Sequence, residues 1–415
     1  MKKRHGVLGM LCCMSVITFV DRLAVPVVAP GILRELHLSP AQWGWVLSAY
    51  VLANAVFEIP SGAFGDRRGQ RLELTRITVW WSCFTALTGW CRSFWQIVSS
   101  RFLFGMGAAG AYPNAAGVIS RWFPRHEHAR AQGFVWAASR LGGALAPLLL
   151  VPFERIFGWR AIFWMLGGIG LVWATVWWSW FRSDPAQMPG ISSAELEEIG
   201  GGTSKAGHSS APWSTLFRLP QLWLIALAYF CYAWGSWFYF GWFTTWLVRG
   251  AGFSVTQMGL FASFPFLMGM LGNLIGGIVS ERLVERHGRK LAYRWVTGTC
   301  LVLTSALLLA MSSVRGHAAI VVLATLGFGI MDLMLPSAWA MCMSIGGQYG
   351  GTATGVMNTA GNLGGWVCTI VFGYVIRATG NYNVPLRGVA AMVLAGAILF
   401  AMVDCTKSLQ EATEQ

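Results

Sequence analysis

The sequence predicts an all-helical integral membrane protein with twelve transmembrane helices in two six-helix bundles around a central cavity. Three observations predict it. The 415-residue chain is 55% hydrophobic and only 11% charged, with a mean hydropathy of +0.54. Apolar runs of the ~20 residues that a bilayer demands recur along its whole length. They lie at 7–30, 42–64, 75–93, 98–120, 131–153, 161–181, 220–248, 257–280, 292–312, 318–344, 352–377 and 387–405. Charge is also sorted by loop. Counted from a cytoplasmic N-terminus, most of the 30 Lys and Arg fall in inner loops, among them Lys2, Lys3, Arg4, Arg68, Arg286 and Arg289. That is the positive-inside bias, with both termini cytoplasmic. The net charge of +13 therefore reads as topology and not as a nucleic-acid surface.

The elements follow in chain order. The first run is too long for a signal-peptide core and lacks a small-residue cleavage site, so it is expected to stay as a helix. Short loops make the next runs antiparallel neighbours, which gives a first bundle over residues 1–181. A linker at 182–219 follows, rich in Ser, Gly and Pro. Within it, Ser192-Ser193-Ala194-Glu195-Leu196-Glu197-Glu198 carries a cap residue and early acids, the pattern of one short surface helix. Residues 220–405 form the second bundle and 406–415 a cytoplasmic tail. Fifty glycines suit close helix–helix approach in lipid. The nine cysteines lie in or at the edges of apolar runs with no CxxC pair, so they read as buried thiols. The seven histidines never pair at ligand spacing within a run, and neither metal nor cofactor is expected. No nucleotide loop or nucleophile–base set supports an enzyme; a membrane enzyme or sensor stays a distant alternative.

Charge inside the runs carries the functional reading. Asp21, Arg22, Glu58, Arg101, Arg140 and Asp332 lie within apolar spans, where a charge costs at least ~3 kcal/mol. Cations on several helices can hold a carboxylate, because a guanidinium forks onto it and stays ionised. An arginine that moves from an acid to a substrate also releases the acid to take a proton. Arg22 is the first expected ligand and Asp21 the proton carrier; the alternative is a self-satisfied pair that only fixes the first span. Arg101 lies seven residues before position 108, two turns along one face. Arg140 contacts a substrate or Glu58, or forms a purely structural pair. In the seventh run, Tyr232, Ser236 and Tyr239 could line a sugar-acid site, although packing explains each of them as well. Asn358 and Asn362, one turn apart, serve a substrate or bond between helices.

A repeat then connects the halves. Gly62-x-x-x-Asp66-Arg67-x-Gly69-Gln70-Arg71 follows the second run, and Gly277-x-x-x-Glu281-Arg282, then Gly288-Arg289-Lys290, follows the eighth, 215 residues on. A period of half the chain indicates a duplicated six-helix unit. The first copy resembles the cytoplasmic loop signature of the major facilitator superfamily. There the acid and arginines, with Glu127, are expected to form ion pairs that gate one face. A narrower resemblance, to the anion:cation symporter family, covers nearly the whole chain. It rests on Phe19-Val20-Asp21-Arg22, Ser48-Ala49-Tyr50 through Ile59-Pro60, Arg101 through Gly105-x-Gly107 to Tyr112-Pro113, Trp122-Phe123-Pro124, Trp339-Ala340 and Gly355-x-x-Asn358-x-x-Gly361-Asn362-x-Gly364-Gly365.

That resemblance implies a secondary transporter of a small organic anion, such as a hexonate, a hexuronate or another carboxylate, coupled to protons by alternating access. It implies a monomer in a bacterial inner membrane, with lipids, protons and the anion as partners and no nucleic acid. Eukaryotic relatives carry sialic acid and glutamate. Tyr50 and Asn54 join the substrate residues, with Asn54 standing where relatives often have Tyr. Relatives typically have Glu at position 108, a second protonation site; here it is Ala108. Glu58 stands where many have Gln, and either supplies the missing carboxylate or serves local structure near Pro60. Ser344 stands where relatives often carry Asp, and Asp332 is matched and expected to hold helices together. Ala108 leaves a second transport reading open, a facilitated or weakly coupled uniporter or exchanger.

Overall fold

A backbone crossing lipid must satisfy its own hydrogen bonds, which leaves an apolar run little choice but helix. A computed structural model describes residues 2–124, 128–199, 218–346 and 350–406, without the side chains of 59, 62–68, 120, 128–130 and 350–352. Every long element among them is helical. They are α1 Lys3–Val27, α2 Ala29–Glu35, α3 Pro40–Arg68, α4 Gln70–Thr88, α5 Phe94–Ala108, α6 Ala111–Trp122, α7 His128–Trp180 and α8 Ser193–Ile199. Then follow α9 Pro220–Trp237, α10 Phe243–Arg249, α11 Val255–Phe261, α12 Ser263–Met311, α13 His317–Leu333, α14 Leu335–Gly346, α15 Gly350–Thr379 and α16 Asn383–Met402.

Seven stretches among the described residues are long and apolar enough to cross a membrane. Two of them, Ala131–Trp180 and Val255–Met311, each hold two of the apolar runs. The chain turns within them at Gly158 (φ 78°, ψ 163°) and Gly288 (φ 77°, ψ 160°). Gly69, at the end of α3, takes the same kind of conformation (φ 88°, ψ 142°), one that a side chain disfavours. The repeat is thus present in the backbone, with a refinement. A constant offset of 215 would put the second turn at 284, and it comes four residues later, about one helical turn.

Other runs are interrupted. The run at 98–120 breaks between α5 and α6 at Ala109–Gly110, and the run at 318–344 breaks at Met334. The seventh run contains a π-helical turn at Phe238–Trp242 between α9 and α10, the kind of irregularity that often accompanies function.

The described residues divide into two compact units, one of 2–36 and 49–199, the other of 37–48 and 218–406. The start of α3 therefore goes with the second unit, whereas the sequence reading assigned all of 1–181 to the first bundle. In the first unit α7 lies along both α1 and α4, and α4 also packs on α5. Close approach depends on missing side chains. A Cβ on Gly142 of α7 would stand 2.6 Å from the Val16 carbonyl of α1, and one on Gly105 of α5 2.5 Å from the Tyr50 carbonyl of α3.

The expected linker helix is present as α8, and it caps α1. The Ser192 hydroxyl accepts from its Glu195 N–H, and the Glu195 carboxylate accepts from the Lys3 and Arg4 N–H groups at 3.0 and 2.9 Å. Glu198 pairs with Lys2 and Arg4 at 2.6 and 2.7 Å. In the second unit α12 packs on α13 and α16, and α9 on α15 and α16. Asp332, fully buried on α13, accepts from Asn273 of α12 at 3.2 Å, consistent with the expected helix-holding role.

Candidate functional site

Interior charges of the first unit on α1, α5 and α7 gather around Phe19 of α1 and Tyr50 of α3. Asp21 is 1% exposed, and neither carboxylate oxygen has a hydrogen bond. Burying an ionised carboxylate without a donor is costly, so the group either takes a proton or draws in a cation. The cation whose charge acts on it is Arg101. Arg22, its neighbour in sequence, turns elsewhere: its Nε donates to the Tyr50 hydroxyl at 2.7 Å. Adjacent helical residues do not face each other. The reading of Asp21 and Arg22 as a self-satisfied pair therefore does not describe this structure.

The three arginines alternate with aromatic rings. The Arg140 guanidinium carbon lies 5.8 Å from the Phe19 centroid, and that of Arg22 lies 5.1 Å from the same ring. Arg22 and Arg101 share Tyr50 at 5.0 and 5.4 Å, and Arg101 also covers Phe104 at 4.3 Å. A desolvated cation–π contact contributes up to ~2 kcal/mol, so the rings help hold these cations in the interior of the unit. Arg101 and Arg140 are 3% and 5% exposed, and Nη1 of Arg101 has no hydrogen bond. Behind Phe19, Tyr112 stacks on Trp136 at 4.7 Å, and its hydroxyl meets Ser15, which donates to the Val135 carbonyl.

Most residues singled out in the sequence for the first unit belong to this cluster or border it. Tyr50 is central. Asn54, buried, follows it by one turn on α3, and Glu58, half-buried, by two turns, about 12 Å along the axis. Ala108 is 4% exposed at the end of α5. Two of the aromatic partners carry a signal in the sequence: Phe19 precedes Arg22 by three residues and Phe104 follows Arg101 by three.

In the second unit, Asn362 is buried and Asn358 half-buried, one turn apart on α15. Tyr239 requires a correction as a substrate ligand. Its hydroxyl donates to the Ala324 carbonyl at 3.0 Å, and its ring is packed against Phe243 and Phe328 in the core of that unit. The apolar surroundings leave one backbone acceptor for the phenol, and it takes it.

The gating expectations fare unevenly. Gly62 lies within α3, while the side chains of Asp66 and Arg67, and all of Glu127, lie outside the described residues. Gly69 makes the turn noted above. Among the described residues Arg71 meets no acid: its guanidinium donates to the Trp178 carbonyl and covers the Trp178 ring. Glu281 and Arg282 are exposed, with no ion pair among the described residues. The ion pair near this end of α3 is instead that of buried Glu73 with exposed Arg76, and Ser61 donates to Glu73 at 3.0 Å. Glu73 was passed over as a charge at a span edge.

Known proteins agree with this architecture. Residues 10–369 match the Major Facilitator Superfamily profile. The chain is 34% identical to a probable sulfoacetate transporter of Cupriavidus necator, covering 97% of this chain and 94% of that one. It is 28% identical to a D-galactonate transporter of Escherichia coli (97% and 96%) and 27% identical to a hexuronate transporter of Bacillus subtilis (96% and 92%). In fold it is similar to a bacterial homologue of the human lysosomal transporter Spinster, with a TM-score of 0.80, 19% identity and 98% of each chain covered. These relatives are transporters, not enzymes, and the fold is that of a multi-pass integral membrane protein. The chain belongs to the Major Facilitator Superfamily.

Proposed function

We propose that this protein is a secondary transporter of a small organic anion, a sulfonated or sugar-derived carboxylate, that works by alternating access and is driven by protons taken up at Asp21. The observation that carries the reading is the buried, unbonded Asp21 carboxylate beside Arg101, one residue from Arg22. Arg22, Arg101 and Arg140 supply forks for acid groups in the first unit, with Tyr50 and Asn54 beside them; in the second unit Asn358 and Asn362 are the proposed ligands. When an anion engages a guanidinium, Asp21 loses part of its electrostatic support and takes a proton, so cargo and proton enter together. Twelve spans, both termini in the cytoplasm, a bacterial inner membrane and a monomer complete the proposal. The names of the relatives support the cargo class.

Uptake into proteoliposomes tests it, with radiolabelled sulfoacetate, galactonate and hexuronate under an imposed pH gradient. We expect saturable flux for at least one, accumulating against its gradient only when protons flow inward. Absence of saturable flux for every anion would sink the reading. Ala108 favours one competitor, uncoupled exchange: with a carboxylate gone from α5, one proton step is lost. A proton:substrate ratio of zero would establish it.

A further inference from the structure

The two ends of the second unit carry charge differently. At the end where α9 begins, the signs are mixed. Glu281 and Glu285 stand among the basic residues of 282–290, Lys290 pairs with Asp404 at 2.6 Å, and the Gln221 side chain accepts from the Asp404 N–H at 2.7 Å. The opposite end is built from three connections, α10 to α11, α12 to α13 and α15 to α16. Residues 249–254, 312–316 and 377–387 supply Arg249, Arg315, Arg377 and Arg387 there, and no Asp or Glu. The connections touch one another. Trp246 donates to the Asn383 side chain at 3.1 Å, and a Cβ on Gly250 would stand 2.8 Å from that of Tyr382. Phe253 stacks on His317 at 4.1 Å, and Arg387 Nε reaches the Ser312 hydroxyl at 3.4 Å.

One end of the unit therefore presents four exposed guanidinium groups, none with an ion pair among the described residues. In the first unit, where α1 runs into α2, the cations have acids beside them: Arg160 pairs with Glu35, and the charge of Arg34 acts on Glu154. On the proposed topology the acid-free end faces outward, and arginines in short outer loops run against the positive-inside bias. Unbalanced charge of this kind acts without contact. Its field reaches ~30 Å at 0.01 M salt and ~10 Å at 0.1 M, and such focusing raises association rates about 10- to 1,000-fold. Spread over three connections, the four side chains suit a field on mobile anions better than a fork closing on one phosphate. We propose that Arg249, Arg315, Arg377 and Arg387 form an electrostatic collector that draws small anions from the outer medium and speeds capture of the cargo. This rests on the transporter reading above and adds a capture step to it.

Right-side-out membrane vesicles containing the full chain test it. Initial uptake of radiolabelled sulfoacetate, galactonate and hexuronate is measured at about 10 mM and about 500 mM ionic strength, where the field is respectively long-ranged and screened. For any anion carried, replacing all four arginines by glutamine (R249Q, R315Q, R377Q and R387Q) should lower kcat/KM about tenfold at low salt and leave it unchanged at high salt. Maximal velocity should not move. The corresponding four-lysine variant keeps the charge and should keep the wild-type salt dependence. Should the glutamine variant not fold, the pairs R249Q/R377Q and R315Q/R387Q should each remove about half of the effect on a logarithmic scale. The same salt dependence in wild type and glutamine variant overturns the proposal. So does a lysine variant that behaves like the glutamine one, since the arginines would then be ligands. Loss of co-purifying anionic phospholipid with an unchanged salt dependence overturns it too, and makes the arginines a lipid contact. Saturable uptake with no difference between variants leaves the transporter reading standing, whereas no saturable uptake of any of the three anions removes both.

Discussion

Asp21 and Arg22 are neighbours in sequence with different partners in space. Their presence in an apolar run is legible from composition, because no structural economy explains two charges there. Their directions are not, since successive helical side chains point about 100° apart and tertiary neighbours choose between them. Arg22→Ala should abolish substrate binding by calorimetry while circular dichroism stays helical; unchanged affinity would remove Arg22 from the site. Tyr50→Phe deletes the acceptor for Arg22 Nε and should weaken binding by about 1–1.5 kcal/mol, roughly tenfold. At Ala108, restoring Glu adds a titratable group two turns from Arg101. We expect steeper pH dependence of accumulation in vesicles, and an unchanged profile would show that this position no longer reports to the site.

At the scale of elements, helix α8 acts as a cap for α1 from about 190 residues away. Its existence was legible in the Ser-x-x-Glu pattern that begins at Ser192, which is a property of local sequence. Its use was not, because a cap for a helix start can come from anywhere in the fold. Glu195→Gln keeps the shape but weakens two charge-assisted bonds to the α1 N–H groups, and should destabilise that helix end by about 1 kcal/mol. Amide exchange at residues 3–6 would report it. Hydrogen bonds from Lys2 and Arg4 hold Glu198 below the ordinary carboxylate range. A lowered carboxylate stabilises above the unfolded pKa of about 4.3 and loses that support as pH falls through the lower folded value. Exchange at residues 3–6 should thus be constant from neutral pH to about 5 and quicken only in stronger acid, once corrected for intrinsic rate. The Glu73–Arg76–Ser61 cluster was missed for a related reason: a charge at a span edge looks solvated until a neighbouring helix covers it.

For the whole molecule, topology is the property the sequence states most directly and the one a labelling experiment checks. In a cysteine-free background, a cysteine at Arg315 should react with an impermeant thiol reagent from outside intact cells. One at Ser193 should react only after permeabilisation. The reverse pattern would invert the orientation. By itself the sequence determined what depends on one residue at a time or on local periodicity. That covers a multi-pass helical chain, its duplicated halves, the polar linker with its helix, and charges too costly to be incidental. Only the tertiary structure decided which partner each of those charges takes. It turned Arg22 to Tyr50, set Arg101 beside Asp21 with Phe104 on its face, drew the Tyr239 hydroxyl to a backbone carbonyl and Arg71 to Trp178. The physical reason is that a buried polar group takes the nearest acceptable partner in three dimensions, and most of those partners lie 28 to 107 residues away in the chain.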